Sequence, residues 1–205
     1  MERLGQCIAV VSGKGGTGKT SFTAGVGAAL ALHKRRVLCL DCDTALRNLD
    51  LALGLSDRAL MDFSDVAQGR CTLENAVVEH SKIPGLYLLT APVRSRGRPV
   101  TETQMADLLA EVRKRYDYCL LDAPAGLGSG FQLAVYGADR AVVVSTTAAA
   151  AKRTKARGYK SAPTPASAAV QLHLILPCGG HFPLAALRDG PGGPGWDCLL
   201  GSPPL

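Results

Sequence analysis

Gly13-Lys14-Gly15-Gly16-Thr17-Gly18-Lys19-Thr20 carries the spacing G-x-x-x-x-G-K-[ST]. That pattern can cradle phosphate. Glycines free the backbone for positive φ and for close approach to a ligand, and successive N–H groups then converge on an anion. Lys19 is placed to reach the β- and γ-phosphates, and the Thr20 hydroxyl to help hold Mg²⁺. The cradle candidates run Gly13, Lys14, Gly15, Gly16, Thr17, Gly18, Lys19, Thr20 and Ser21. The competing reading is a glycine-rich turn that binds nothing. Lys14 gives the loop a second lysine, read on its own as a solvated surface residue.

Two carboxylate stretches weigh against the empty turn. Val37-Leu38-Cys39-Leu40 is an apolar run ending in Asp41-Cys42-Asp43, and Tyr118-Cys119-Leu120-Leu121 is another ending in Asp122. Carboxylates at the C-terminal ends of parallel strands lie in the crevice where α/β sheets bind ligands. Alternation puts Asp41 and Asp43 on one side if the strand persists. One could then hold magnesium-bound water while the other orients the attacking water. Asp122, after a hydrophobic strand, fits the Walker B role on Mg²⁺.

The surrounding elements must deliver these groups. Ile8–Val11 is short and apolar, as a buried parallel strand should be. Phe22, Val26, Ala29, Leu30 and His33 follow the loop near helical spacing. Two short helices are expected within 58–80, split at Gln68-Gly69-Arg70 and restarting near Thr72. Gly85–Thr90 reads as a strand and Arg94–Arg98 as a basic loop. Thr101-x-x-Gln104 is a capping box. Met105, Leu108, Leu109, Val112 and Tyr116 continue it at helical spacing. Phe131–Tyr136 predicts a short helix and Arg140–Ser145 a strand. Strands alternating with helices imply an α/β fold, a doubly wound, mostly parallel sheet with helices on both faces.

Composition narrows the classes. The 205 residues suit one α/β domain. The first residues lack the apolar stretch and cleavage site of a signal peptide, and no run reads as a membrane span. A cytoplasmic protein is expected. Seven scattered cysteines suit free thiols. Cys39 and Cys42 make a C-x-x-C spacing with no partner pair, and the four histidines form no ligand cluster. The net charge is +6, with the excess in the C-terminal part, where Lys152, Arg153, Lys155, Arg157 and Lys160 cluster. Such a cluster can meet anionic lipid or nucleic acid, and more often is solvated.

With these residues placed, the chain resembles the MinD/ParA family of deviant Walker A ATPases, a branch of the P-loop NTPases. The likeness rests on Lys14-Gly15-Gly16-Thr17-Gly18-Lys19-Thr20, Asp41-Cys42-Asp43 and Asp122-Ala123-Pro124-Ala125-Gly126. The MinD branch is the more similar, through Leu46-Arg47-Asn48-Leu49-Asp50-Leu51, Asp65-Val66-Ala67-Gln68-Gly69-Arg70-Cys71, Tyr87-Leu88-Leu89-Thr90-Ala91 and Ala138-Asp139-Arg140-Ala141. It covers about Cys7 to Thr146.

The resemblance implies an ATP-dependent homodimer that acts as a spatial switch in division-site selection. Lys14, Lys19 and Asp43 would be catalytic, with each Lys14 reaching the phosphates bound by the other subunit and Asp43 positioning water. Thr20, Asp41 and Asp122 would serve the metal, and ATP and Mg²⁺ would be the cofactors. The partners implied are a MinC-like inhibitor and a MinE-like activator, with peripheral association at the inner membrane. A ParA-like or flagellar-number-type relative is the nearest alternative. Nucleic acid is not expected as a partner, because the basic cluster lies outside the region of likeness.

The likeness stops after Thr147, so residues 1–147 read as an ATPase core and 148–205 as a different kind of chain. The only asparagines are Asn48 and Asn75, which leaves none downstream for the family's adenine contact. Residues 170–176 could add one strand, and the rest is irregular: eight of the twelve prolines fall in 163–205. The proline-containing end cannot make the family's C-terminal amphipathic helix. A shifted reading frame, a truncated product that binds nucleotide weakly without turnover, and a divergent tail all fit this break.

Overall fold

A computed structural model of the protein describes residues 4–56, 58–92, 99–146 and 170–175. Strand and helix alternate as the patterning requires. The elements are β1 Gln6–Val11, α1 Lys19–Leu32, β2 Val37–Asp41, α2 Leu49–Ala52, α3 Phe63–Ala67, α4 Leu73–Ala76, β3 Val78–Glu79, β4 Leu86–Leu89, α5 Glu102–Arg115, β5 Tyr118–Asp122, α6 Ser129–Tyr136, β6 Arg140–Thr146 and β7 Val170–Ile175. The Arg94–Arg98 loop, the basic Lys152–Lys160 stretch and the Pro/Gly-rich sequence after Pro177 lie outside the described residues.

Among the described residues, seven strands form one sheet in the order β3-β4-β2-β5-β1-β6-β7. β1, β2, β4, β5 and β6 are parallel, and β3 and β7 close the two edges antiparallel. The central strands are apolar throughout because both faces are covered. Successive residues of β2 show this. Leu38 and Leu40 join the cluster formed with α3, α4, α5 and α6. Val37 and Cys39 join the one formed with α1 and α2. Cys39 and Cys42 therefore fall on opposite faces, and their C-x-x-C spacing brings no thiol pair together.

Local chemistry sets the element ends. Thr101 accepts from the Gln104 N–H at 3.2 Å, and Gln104 accepts from the Thr101 N–H at 3.0 Å. This reciprocal cap starts α5 and contributes about 1 kcal/mol. All five apolar positions expected on that helix seam are buried. At the other end of the sheet, the Cys7 N–H donates to Asp139 at 2.7 Å, and Arg113 pairs with the same carboxylate at 3.0 Å. These contacts tie β1 to α5 and to the entry of β6.

The helix expected after the loop is α1, and its fully buried seam is built mostly from small residues. It runs through Lys19, Thr23, Ala24, Gly27 and Ala31, whereas His33 is exposed and Phe22 and Val26 are half-buried. Small residues let the helix lie close on the sheet. A Cβ at Gly27 would sit 2.5 Å from Cys39 Sγ, so no larger residue fits without a shift. Val26 and Leu30, at the spacing that marks the helix, pack half-buried against the same cluster, and the closest approach is left to small residues.

Candidate nucleotide site

The glycine loop connects the end of β1 to the start of α1, at the C-terminal edge of the parallel strands. Gly18 directly precedes the helix with φ +90°, a left-handed conformation strained for any residue with a Cβ. The turn aims the first N–H groups of α1, which have no intrahelical partner, at the loop's concavity. The loop is tied to the neighbouring strand end: the Ala123 N–H donates to the Val10 carbonyl at 3.1 Å and the Gly126 N–H to the Ser12 carbonyl at 3.4 Å.

A cavity of about 220 Å³ opens at this point. Gly15, Gly16, Thr17, Gly18, Lys19, Thr20 and Ser21 line it, with Asp43, Leu46, Asn48, Asp122, Ala123 and Ala125. The loop, the segment after β2 and the end of β5 thus converge, although Asp43 and Asp122 are far from the loop in sequence. Gly13 and Lys14 are exposed and do not line the cavity. A larger cavity of about 410 Å³ lies between α3, α5 and α6, and no residue of the glycine loop borders it.

Lys19 is 8% exposed. Its ammonium donates to Ser12 Oγ at 2.9 Å, and Ser12 in turn donates to the Lys14 carbonyl at 2.7 Å. Burial holds the Lys19 pKa below its ordinary 10.5, opposed by the charges of Asp122 and Asp43. Thr20 Oγ1 donates to Asp122 Oδ2 at 2.6 Å. Burial pushes the Asp122 carboxyl up to about 6, against the Thr20 hydrogen bond and the Lys19 charge. Its other oxygen, Oδ1, is buried without a hydrogen-bond partner among the described residues.

That unpartnered oxygen is the test of fit for a metal ion. A buried carboxylate with a free oxygen, hydrogen-bonded to a hydroxyl and beside a phosphate cradle, offers the hard oxygen donors that Mg²⁺ takes. Thr20 and Asp122 fit that role.

Asp41, expected at the metal, is placed elsewhere. Its Oδ1 accepts from the Asp43 N–H at 2.8 Å and its Oδ2 from the Leu49 N–H at 3.2 Å. It does not line the cavity. Burial pushes its pKa up to about 7, against those two backbone hydrogen bonds. The reason is geometric: β2 ends at Asp41, so the alternation that would set Asp41 and Asp43 side by side stops there. Asp41 organises the loop, and Asp43 alone of the two faces the cavity. Asp43 Oδ1 accepts from the N–H groups of Ala45 and Leu46, both at 3.0 Å, which fixes the carboxylate at the rim.

Three residues of the site escaped sequence reasoning. Ser12 sits between an apolar strand and the first glycine, and its burial at 1% exposure is the signal that it holds something. Leu46 and Asn48 reach the cavity through the turn held by Asp43. Arg47 between them has φ +42°, a left-handed value that spacing alone does not reveal.

Sheet order, glycine loop and paired strand ends define the P-loop NTPase class of α/β folds. The chain belongs to the AAA domain family AAA_31, which it matches over residues 5–155. It is 40% identical over 151 residues to the septum site-determining protein MinD of Bacillus subtilis (strain 168), covering 73% of this chain and 56% of that protein. Among solved structures, MinD in the MinC:MinD cell division protein complex of Aquifex aeolicus is similar at a TM-score of 0.61 and 40% identity, over 67% of this chain and 55% of that one. The septum site-determining protein MinD of Pyrococcus horikoshii OT3, complexed with Mg-ADP, has a TM-score of 0.61 and 31% identity, over 68% and 57%. The chain spans about half the length of the relatives it matches. Among the described residues, no helix is long and apolar enough to cross a membrane.

Proposed function

We propose that the chain carries the nucleotide site of a MinD-like ATPase, a switch in division-site selection that dimerises on ATP. The observation that supports this most directly is the Thr20–Asp122 contact with its unpartnered Asp122 Oδ1, set against the glycine loop. A Mg-ADP complex of a relative with this fold supports the same ligand chemistry.

In this reading the loop N–H groups from Gly15 to Ser21 hold the phosphates. Lys19 leaves Ser12 to meet the β- and γ-phosphate charge, which gives an ammonium disfavoured by burial an anionic partner. Thr20 and Asp122 would hold Mg²⁺, which would supply positive charge against the β- and γ-phosphates. Asp43, pinned at the rim by two backbone N–H groups, orients the attacking water. Phosphoryl transfer depends on such positioning and on charge stabilisation, so fixed groups suffice.

Lys14 is assigned to the second subunit. It is exposed at the rim and lines none of its own cavity, while Ser12 holds its carbonyl in place. A face-to-face dimer would bring it to the partner's phosphates as a trans-acting cation. MinC-like and MinE-like partners and association with the membrane surface belong to the same proposal, as does a cytoplasmic location. The MinC:MinD complex of a relative supports the first of these. The test is ATP turnover together with molecular mass in Mg-ATP and in Mg-ADP. Turnover with a dimer formed only in ATP supports the reading; a monomer in both states without turnover overturns it.

A further inference from the structure

Ser12 stands between the two lysines of the site. It follows β1, is 1% exposed and does not line the phosphate cavity. Its carbonyl accepts from the Gly126 N–H at 3.4 Å, on the segment that follows Asp122. Its Oγ accepts from the Lys19 ammonium at 2.9 Å and donates to the Lys14 carbonyl at 2.7 Å. The accepting and donating capacities of one hydroxyl are thus divided between the two lysines.

The lysines make different demands on it. Lys19 is buried and needs an acceptor while no anion is present, because an unpartnered buried ammonium is costly. A phosphate can take over that part. Lys14 is exposed, and its backbone must be held if its side chain is to reach a defined point on a second subunit. No phosphate can take over this part, because phosphate oxygens and the Lys14 carbonyl are both acceptors.

We infer that Ser12 is a positioning residue for turnover: its hydroxyl holds Lys19 while the site is empty and, through the Lys14 carbonyl, sets the backbone that carries the trans-acting cation. This rests on the nucleotide reading of the site, with Lys14 acting on the partner, and adds to it a residue that touches no phosphate.

The experiment measures ATP turnover at saturating Mg-ATP, and Mg-ADP affinity by titration calorimetry, on the full chain. Ser12→Ala lowers turnover by about tenfold, the scale of one hydrogen bond lost from the transition state. It binds Mg-ADP at least as tightly as the parent, because Lys19 no longer gives up a partner on binding. Ser12→Cys, close in volume and a weak donor, shows the same split, so the comparison survives if the alanine variant does not fold. Ser12→Thr keeps the oxygen and turns over within about threefold of the parent. In a Lys14→Ala background, Ser12→Ala costs no further turnover, since its effect passes through Lys14. A Ser12 that only supports the fold would weaken Mg-ADP binding along with turnover, or add its cost to that of Lys14→Ala, and either result overturns the assignment. Parent-like turnover in Ser12→Ala overturns it too, and leaves the nucleotide reading standing. A parent chain that binds no Mg-ADP overturns the nucleotide reading and the assignment with it.

Discussion

The Thr20 hydroxyl meets Asp122 Oδ2 at 2.6 Å across a sequence separation of 102 residues. One residue lies in the first turn of the helix after the glycine loop and the other closes β5. The contact exists because β1 and β5 are parallel neighbours in register, Val10 opposite Asp122. The fold delivers the carboxylate to the loop, and the remaining carboxylate oxygen is left for a ligand.

Asp122→Ala removes this donor set. Affinity for ADP in the presence of Mg²⁺ falls, and the gain that Mg²⁺ gives over EDTA disappears. Titration calorimetry in the two buffers measures both. A variant that still responds fully to Mg²⁺ would place the metal elsewhere.

Lys14→Ala separates binding from turnover. Lys14 lines none of its own cavity, so Mg-ADP affinity is unchanged within about threefold, a difference below 1 kcal/mol. ATP turnover falls by about a thousandfold or more, the range of a lost trans-acting cation. Steady-state phosphate release gives the rate. Undiminished turnover would remove Lys14 from the chemistry.

Stability should decline with pH in the weakly acidic range. Burial raises Asp41 to about 7 and Asp122 to about 6, from an ordinary 3.8. Between the ordinary and raised values the folded chain holds protons that the unfolded chain has released. The stabilising contribution of these two groups is therefore full below about pH 4 and lost as pH rises through about 6 to 7. Asp41→Asn removes one of the two titrations and flattens the decline. Urea unfolding of the nucleotide-free protein across this range measures the slope. An identical slope in the variant would contradict the assignment to Asp41.

Gly27→Ala tests the close seam between α1 and the sheet. Its Cβ meets Cys39 Sγ at 2.5 Å, so the variant loses about 1–3 kcal/mol by overpacking. In a Cys39→Ala background the same substitution costs less, because the clashing atom is gone. Denaturant midpoints of the four proteins complete the cycle. Additive effects would mean that the helix moves away without strain.

Much of this was legible in the sequence because it depends on local pattern. The capping box at Thr101 and Gln104, the buried seam of α5 and the apolar strands ending in Asp41 and Asp122 stand where spacing puts them. Gly18, Lys19 and Thr20 share the cavity with Asp122, as a phosphate loop requires. What could not be read depends on where a strand stops and how closely elements pack. Alternation could not show that β2 ends at Asp41, which turns that carboxylate onto the backbone of Asp43 and Leu49. Hydrophobic spacing places the helix α1 but does not show its fully buried seam, because Gly27 packs by lacking a side chain. Ser12 carries no motif, and its role appears only once Lys19 folds back onto it.

The most direct test of the nucleotide site is thermal unfolding of the full chain with and without Mg-ATP, with Lys19→Ala as the control. At about 100 times the dissociation constant, binding adds roughly 2.7 kcal/mol of stability. Mg-ATP moves a cooperative melt clearly upward in the parent and leaves it unmoved in Lys19→Ala. A parent melt that Mg-ATP does not shift, or an equal shift in Lys19→Ala, would contradict the nucleotide reading.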